Sequence, residues 1–134
     1  MQWNSTANAG FTGAKPWFYV NSNYPEVNVE REEQDPNSIL HFYRRCLALR
    51  KGSRTLLWGT YREYGRYRRR LYVYERSLDG ERILVVCSFS GLDQSYRLPG
   101  GLAEDQAELL LCNYPEVGTV GTLRPYEVRV LRWK

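Results

Sequence analysis

The apolar and polar positions of this chain fall into three regimes. Up to about Asp35 neither strand nor helix periodicity is sustained, and Asn, Gly, Pro and aromatic residues dominate, so no regular element is assigned there. Trp3, Phe11, Trp17, Phe18, Tyr19 and Tyr24 crowd this stretch. They are too many large apolar groups for a solvated tail, and the segment is expected to pack on a surface outside this chain. Next, Asp35 supplies an N-cap, Pro36 suits the first helical position and Gly52 offers a stop. Between them Ile39, Phe42, Tyr43, Cys46, Leu47 and Leu49 or Arg50 recur at helical spacing, which predicts one amphipathic helix in need of a partner.

From Arg54 onward, short runs rich in Tyr, Val, Leu and Ile alternate with turn signals, the pattern of an antiparallel sandwich or barrel. The runs predict strands over Leu56 to Tyr64, Arg69 to Ser77, Arg82 to Phe89, Gln94 to Leu98, Ala107 to Asn113 and Arg124 to Trp133, with a hairpin turn at Asp79-Gly80. In the last run Glu127, Arg129, Leu131 and Trp133 share one face and Tyr126, Val128, Val130 and Arg132 the other. The pentapeptide Asn-Tyr-Pro-Glu-Val occurs twice, at Asn23 and at Asn113. One copy precedes the helix and the other falls in the sheet, so the match is read as coincidence.

Composition adds little to this picture. The 134 residues are 43% hydrophobic and 25% charged, enough for one core. No long apolar run marks a membrane span and no leader pattern is visible, so a soluble, cytoplasmic chain is expected. Cys46, Cys87 and Cys112 are widely spaced and are read as reduced thiols, with no metal site and no cofactor expected. A net charge of +4 permits nucleic-acid binding without demanding it. Arg66, Arg68, Arg69 and Arg70 around Tyr67 are the best such patch. The preferred reading is nevertheless a solvated, positively charged hairpin end, with nucleic acid not expected as a partner. The acidic run Glu30, Glu32, Glu33 and Asp35 is read as a solvated approach to the helix.

Catalytic constellations are missing from the pattern. His41 is the single histidine and sits mid-helix without a nucleophile partner, and no phosphate loop or dinucleotide fingerprint occurs. Glycoside hydrolysis needs two carboxylates across one bond, and only Glu26 and Glu116, in the repeated pentapeptides, have suitable surroundings.

Several blocks do carry a resemblance. Met1-Gln2-Trp3-Asn4, Asn8-Ala9-Gly10-Phe11, Lys15-Pro16-Trp17, Val20-Asn21, Asn23-Tyr24 and Asn28-Val29 resemble, in order and spacing, the segment after the eighth barrel strand of α-amylase-family glycoside hydrolases of the oligo-1,6-glucosidase type. Asp35 to Ile39, Phe42-Tyr43-Arg44 and Leu49 to Lys51 look like that family's last barrel helix. Leu84 to Gly91, Leu109 to Tyr114 and Leu123 to Glu127 are similar to its C-terminal β domain. Asn4 stands where the family usually has Asp.

The resemblance implies a mainly β fold, an antiparallel Greek-key β-sandwich preceded by the irregular aromatic segment and one helix. Residues 1–53 would be the remnant of a catalytic barrel and residues 54–134 the C-terminal β domain. The parent would be a retaining α-glucosidase acting on α-1,6 and α-1,4 bonds of short oligosaccharides. Its catalytic carboxylates would lie upstream of Met1, so no catalytic residue is assigned here and the chain alone is expected to be inactive. Gln2, Trp3, Asn4 and Phe11 would lie on the substrate side of the barrel. The implied partner is the missing barrel, with self-association through the exposed helix and N-terminal aromatics as the substitute. Two other readings remain: a small carbohydrate-binding module stacking sugars on Trp58, Tyr61, Tyr72 or Trp133, and a single-stranded nucleic-acid binder using Arg66 to Tyr72.

Overall fold

A computed structural model describes residues 1–64 and 69–134. They divide into two compact units, Met1–Arg45 and Cys46–Lys134. Arg66, Tyr67 and Arg68 of the arginine run lie outside the described residues.

The first unit is built largely from turns. A short 3-10 turn covers Ala7–Gly10, in which Asn8, Ala9 and Gly10 all take left-handed backbone angles (φ +55°, +56° and +64°). Helix α1 (Val29–Gln34), missed in the sequence because it is too short to show a period, starts at Asn28, whose side chain accepts from the Arg31 N–H at 3.0 Å. Helix α2 spans Ile39–Gly52 and crosses the division between the units. Its start lies later than the Asp35-Pro36 signal predicts. Asp35 instead closes a turn by accepting from the Asn37 N–H at 2.8 Å. The first turn of α2 is capped by Ser38 Oγ, which accepts from the His41 N–H, and by Glu32, which accepts from the Leu40 N–H at 3.0 Å.

The second unit is mostly antiparallel sheet. Strands β1 (Thr60–Tyr64), β2 (Leu71–Leu78), β3 (Glu81–Ser88), β5 (Glu108–Cys112) and β7 (Val128–Trp133) form one sheet in the order β1-β2-β3-β7-β5. Strands β4 (Gln94–Ser95) and β6 (Thr122–Leu123) form a separate two-stranded ribbon. Asp79 and Gly80 both adopt positive φ and join β2 to β3 in a two-residue turn, as their identities require.

The main sheet is covered on both faces. Leu71, Val73, Leu84, Val86, Leu131 and Trp133 cluster with Tyr96 and Leu123 on one side. On the other, Ile83, Val85 and Val130 pack with Leu56 and, at the margin, Leu49. This explains why β3 reads as the unbroken apolar run Ile83-Leu84-Val85-Val86 instead of alternating.

Three predicted strands come out differently. Leu56 to Trp58 belong to helix α3 (Arg54–Trp58), because Ser53 caps it by accepting from the Leu56 N–H at 3.1 Å. Gly59 then allows the chain to turn into β1, since a Cβ there would meet Thr55 O at 2.5 Å and Ser77 O at 2.9 Å. The run at Gln94 is paired over two residues only. The final run is broken at Tyr126, which sits at φ +55° and ends the β6 side before β7 begins. The second pentapeptide, at Asn113, is a bend following β5 and not part of the sheet.

Candidate functional site

The N-terminal residues singled out by sequence are fixed by their own backbone. The Trp3 N–H donates to Ala9 O at 2.9 Å, and Gln2 O and Trp3 O accept from the Val29 and Glu30 N–H groups, each at 2.9 Å. Gln2 Nε2 donates to Val27 O and to Asn23 Oδ1. Asn4 Oδ1 accepts from Thr6 Oγ1 at 2.6 Å and from the Thr6 N–H at 3.1 Å. A Cβ on Gly10 would lie 2.6 Å from Asn4 Oδ1, so the Asn4 side chain occupies the space that any side chain at position 10 would need. Asn4 thus works as a turn-forming side chain. Trp3 and Phe11 are about half exposed, and Trp17, Phe18 and Tyr19 are more so. Phe11, Trp17, Phe18 and Tyr19 line a recess of about 290 Å³ with Met1 and Gln2. A larger one, about 670 Å³, lies among Met1, Gln2, Val27, Val29, Ile39 and Tyr43. Its apolar walls include Ile39, which is 81% exposed.

His41 has a plain role. Its Nε2 lies 3.0 Å from Glu33 O, and Glu33 forms a two-pronged pair with Arg44. The Arg44 guanidinium holds the Glu33 carboxyl below its ordinary value.

In the second unit the charged centre is a group that sequence reasoning missed. Arg129 and Glu127 are both fully buried. Arg129 Nε donates to Glu127 Oε1 at 2.8 Å, Nη1 to Glu104 Oε1 at 2.7 Å and to Thr119 O at 3.1 Å, and Nη2 to Thr122 O at 2.8 Å. Arg124 adds Nε to Glu127 Oε2 at 3.1 Å, and the Arg124 N–H reaches the same oxygen at 2.8 Å. Burial by itself would raise the Glu127 carboxyl, but the bonds from Arg124 and Arg129 outweigh it and lower it to about 2. Tyr96 closes the group by donating to Glu104 Oε2 at 2.5 Å, and burial and that bond push its phenol upward. The signal was present in the sequence: Glu127 and Arg129 share a strand face with Leu131 and Trp133. Charges on an apolar face are buried only when paired. A second pair, Glu75 with Arg82 at 2.7 Å, is completed by the Tyr64 hydroxyl at 2.9 Å.

The predicted stacking residues separate. Trp133 is buried, its indole N–H donating to Ala103 O at 3.1 Å, so it presents no platform. Trp58 ends α3 and is largely exposed. Tyr61 and Tyr72 are brought together, their hydroxyls 2.8 Å apart. Both rings neighbour Tyr74, at centroid distances of 5.6 and 5.3 Å. The bond to Tyr72 holds the Tyr61 hydroxyl above its ordinary value. Burial pushes the Cys87 thiol up to about 11 and raises that of Cys112. Among the described residues no cluster of His, Cys, Asp and Glu is gathered to hold a metal ion, and no helix is long and apolar enough to cross a membrane.

Residues 1–59 match the alpha-amylase family, described as "Alpha amylase, catalytic domain". The whole chain is similar to the oligo-1,6-glucosidase of Parageobacillus thermoglucosidasius, 38% identical over 98% of this chain and 24% of that protein. The trehalose-6-phosphate hydrolase of Bacillus subtilis (strain 168) is 36% identical over the same shares. Among solved structures, the trehalulose synthase MutB from Pseudomonas mesoacidophila MX-45 superposes with a TM-score of 0.90 at 38% identity, again over 98% of this chain and 24% of that one. The chain therefore spans about a quarter of the length of the curated relatives it matches.

Proposed function

We propose that this chain is the C-terminal portion of an α-amylase-family glycoside hydrolase of the oligo-1,6-glucosidase type. Residues 1–53 are the end of its catalytic barrel, and residues 54–134 are its β domain, a Greek-key sandwich. The observation that carries the reading is the likeness over 98% of the chain to oligo-1,6-glucosidases that are four times longer. Two others support it. The catalytic-domain match covers the whole proposed barrel remnant, continues through α3 and stops before β1 begins. Leu123 of the ribbon and Tyr96, which follows β4, pack on the main sheet as a second layer would.

The full-length enzyme would hydrolyse α-1,6 and α-1,4 glucosidic bonds in short oligosaccharides. The chain alone is inactive on this reading. A glycosidase needs a carboxylic acid with a raised pKa beside a carboxylate nucleophile. Here Glu127 and Glu75 are held low by arginines, the opposite setting. The partner is the rest of the barrel, which would cover Ile39, Tyr43 and the exposed aromatics from Trp17 to Tyr19. We place the protein in the cytoplasm, where thiols such as Cys87 and Cys112 stay reduced.

The test is a chimaera in which this chain replaces the last quarter of an oligo-1,6-glucosidase relative, assayed on isomaltose. The chimaera should be active, and the truncated relative and the isolated chain should not. Hydrolysis by the chain alone, or a folded chimaera without activity, would overturn the reading.

A further inference from the structure

We propose that Tyr61, Tyr72 and Tyr74 form a stacking surface for a neutral pyranose oligosaccharide on the sheet of the second unit. Tyr61 lies on the edge strand β1, and Tyr72 and Tyr74 on its neighbour β2. Register pairs Tyr61 with Arg76 and Glu63 with Tyr74. Since alternate residues of a strand share a face, Tyr61, Glu63, Tyr72 and Tyr74 project from one side of the sheet. The opposite side carries Leu71 and Val73 into one core cluster, while on this side Tyr74 is half-buried against the cluster of Leu56, Ile83 and Val85 and forms the inner end of the patch.

Three features fit a sugar. The rings are close but tilted, at 34° between Tyr61 and Tyr74 and 43° between Tyr72 and Tyr74, so they form one continuous aromatic patch. The axial C–H bonds of a pyranose are weakly positive and rest on the negative faces of such rings. The polar edge of the patch is pre-ordered, because the Tyr61 and Tyr72 hydroxyls lie 2.8 Å apart and Tyr61 donates to Glu63 Oε2 at 3.3 Å. A few fixed donors and acceptors beside an aromatic floor orient a polyhydroxylated ring. Tyr61 is 49% and Tyr72 37% exposed, leaving both reachable. The Trp17–Phe18 pair, centroids 4.3 Å apart, is also exposed but has no such ordered polar edge, and suits burial against protein instead.

Only the choice of a glucose oligomer as probe rests on the proposed glucosidase reading; the platform does not. The experiment is a titration of the ¹⁵N-labelled chain with isomaltotriose, following amide shifts, with Tyr61→Ala, Tyr72→Ala and Tyr61→Phe beside the wild type. Saturable shifts clustered on residues 60–64 and 71–75 are expected. Each alanine variant should bind about tenfold more weakly, the upper range for one aromatic contact. Tyr61→Phe should lose less, since it keeps the ring. An unchanged amide spectrum elsewhere would show that the variants fold. No saturable binding, shifts mapped to another surface, or equal affinity of wild type and alanine variants would refute the assignment. Binding of a proline-rich peptide by these tyrosines in place of the sugar would do the same. Loss of chimaera activity on isomaltose, by contrast, bears on the glucosidase reading and leaves this titration untouched.

Discussion

Replacing Arg129 by Met strikes the buried charged centre of the second unit. The guanidinium is fully buried and donates to two carboxylates and two carbonyls. Met fills much of the same volume but leaves Glu127 with Arg124 and the weak Cys112 thiol donor. Glu104 keeps the Tyr96 hydroxyl and the Gly121 N–H. Removing one partner of a buried ion pair costs about 3–5 kcal/mol, because the remaining charge stays desolvated. At a urea dependence of about 2 kcal/mol per molar, a loss of about 4 kcal/mol lowers the unfolding midpoint by about 2 M. Urea titration followed by tryptophan fluorescence measures this directly, since the Trp133 indole moves from a buried site to water on unfolding. The double variant Arg129→Met with Glu127→Leu removes the stranded charge and should recover a substantial part of the loss. A single-variant cost below about 1 kcal/mol would refute the reasoning. So would a double variant whose losses simply add.

Acid should find the same group. Glu127 is lowered from 4.5 to about 2 in the folded chain, so its stabilising effect is complete above about pH 5 and disappears as pH falls toward 2. The loss between pH 5 and pH 3 is about 2 kcal/mol, in the direction shared by Glu75, whose carboxyl Arg82 also lowers. Urea midpoints at the two pH values measure it, and a flat profile would count against the assignment. Gly59→Ala places a methyl group 2.5 Å from Thr55 O and should destabilise by about 1–3 kcal/mol. Gly13→Ala, with open space around its Cβ, should change the melting temperature little, and equal effects at both sites would be a surprise for this packing. Ile39→Glu, on a side chain 81% exposed, should reduce self-association of the isolated chain in sedimentation velocity. Unchanged association would move the contact elsewhere.

How much was readable from sequence depended on where each element's stabilisation comes from. The Asp79-Gly80 hairpin and strands β2 and β3 were legible because turn chemistry and strand composition agree locally. Helix α3 was not, because Leu56, Leu57 and Trp58 suit a strand as well as a helix, and the decision rests on the Ser53 cap and on packing against Ile83 and Val85. The start of α2 was misplaced by a competing turn, Asp35 spending its side chain on Asn37. The single run ending at Trp133 hid a corner, since nothing in the sequence marks Tyr126 for a left-handed conformation. Asn113 enforces it from a distance, donating to Tyr126 O and accepting from the Val128 N–H. Of the N-terminal candidates, Gln2 and Phe11 line one recess and Asn4 serves its own turn, while the stacking candidates split, because exposure of Trp58 and burial of Trp133 are decided by long-range packing.

Strand β3 lies between β2 and β7, paired with them over eight and six residues. Leu84 and Val86 are inaccessible to solvent. Its amide protons therefore have no local route to deuterium. They should exchange only when the whole unit opens, while the amides of β1, on the sheet edge, exchange by fraying. A mass-resolved exchange experiment on β3 peptides would thus time global opening of this unit.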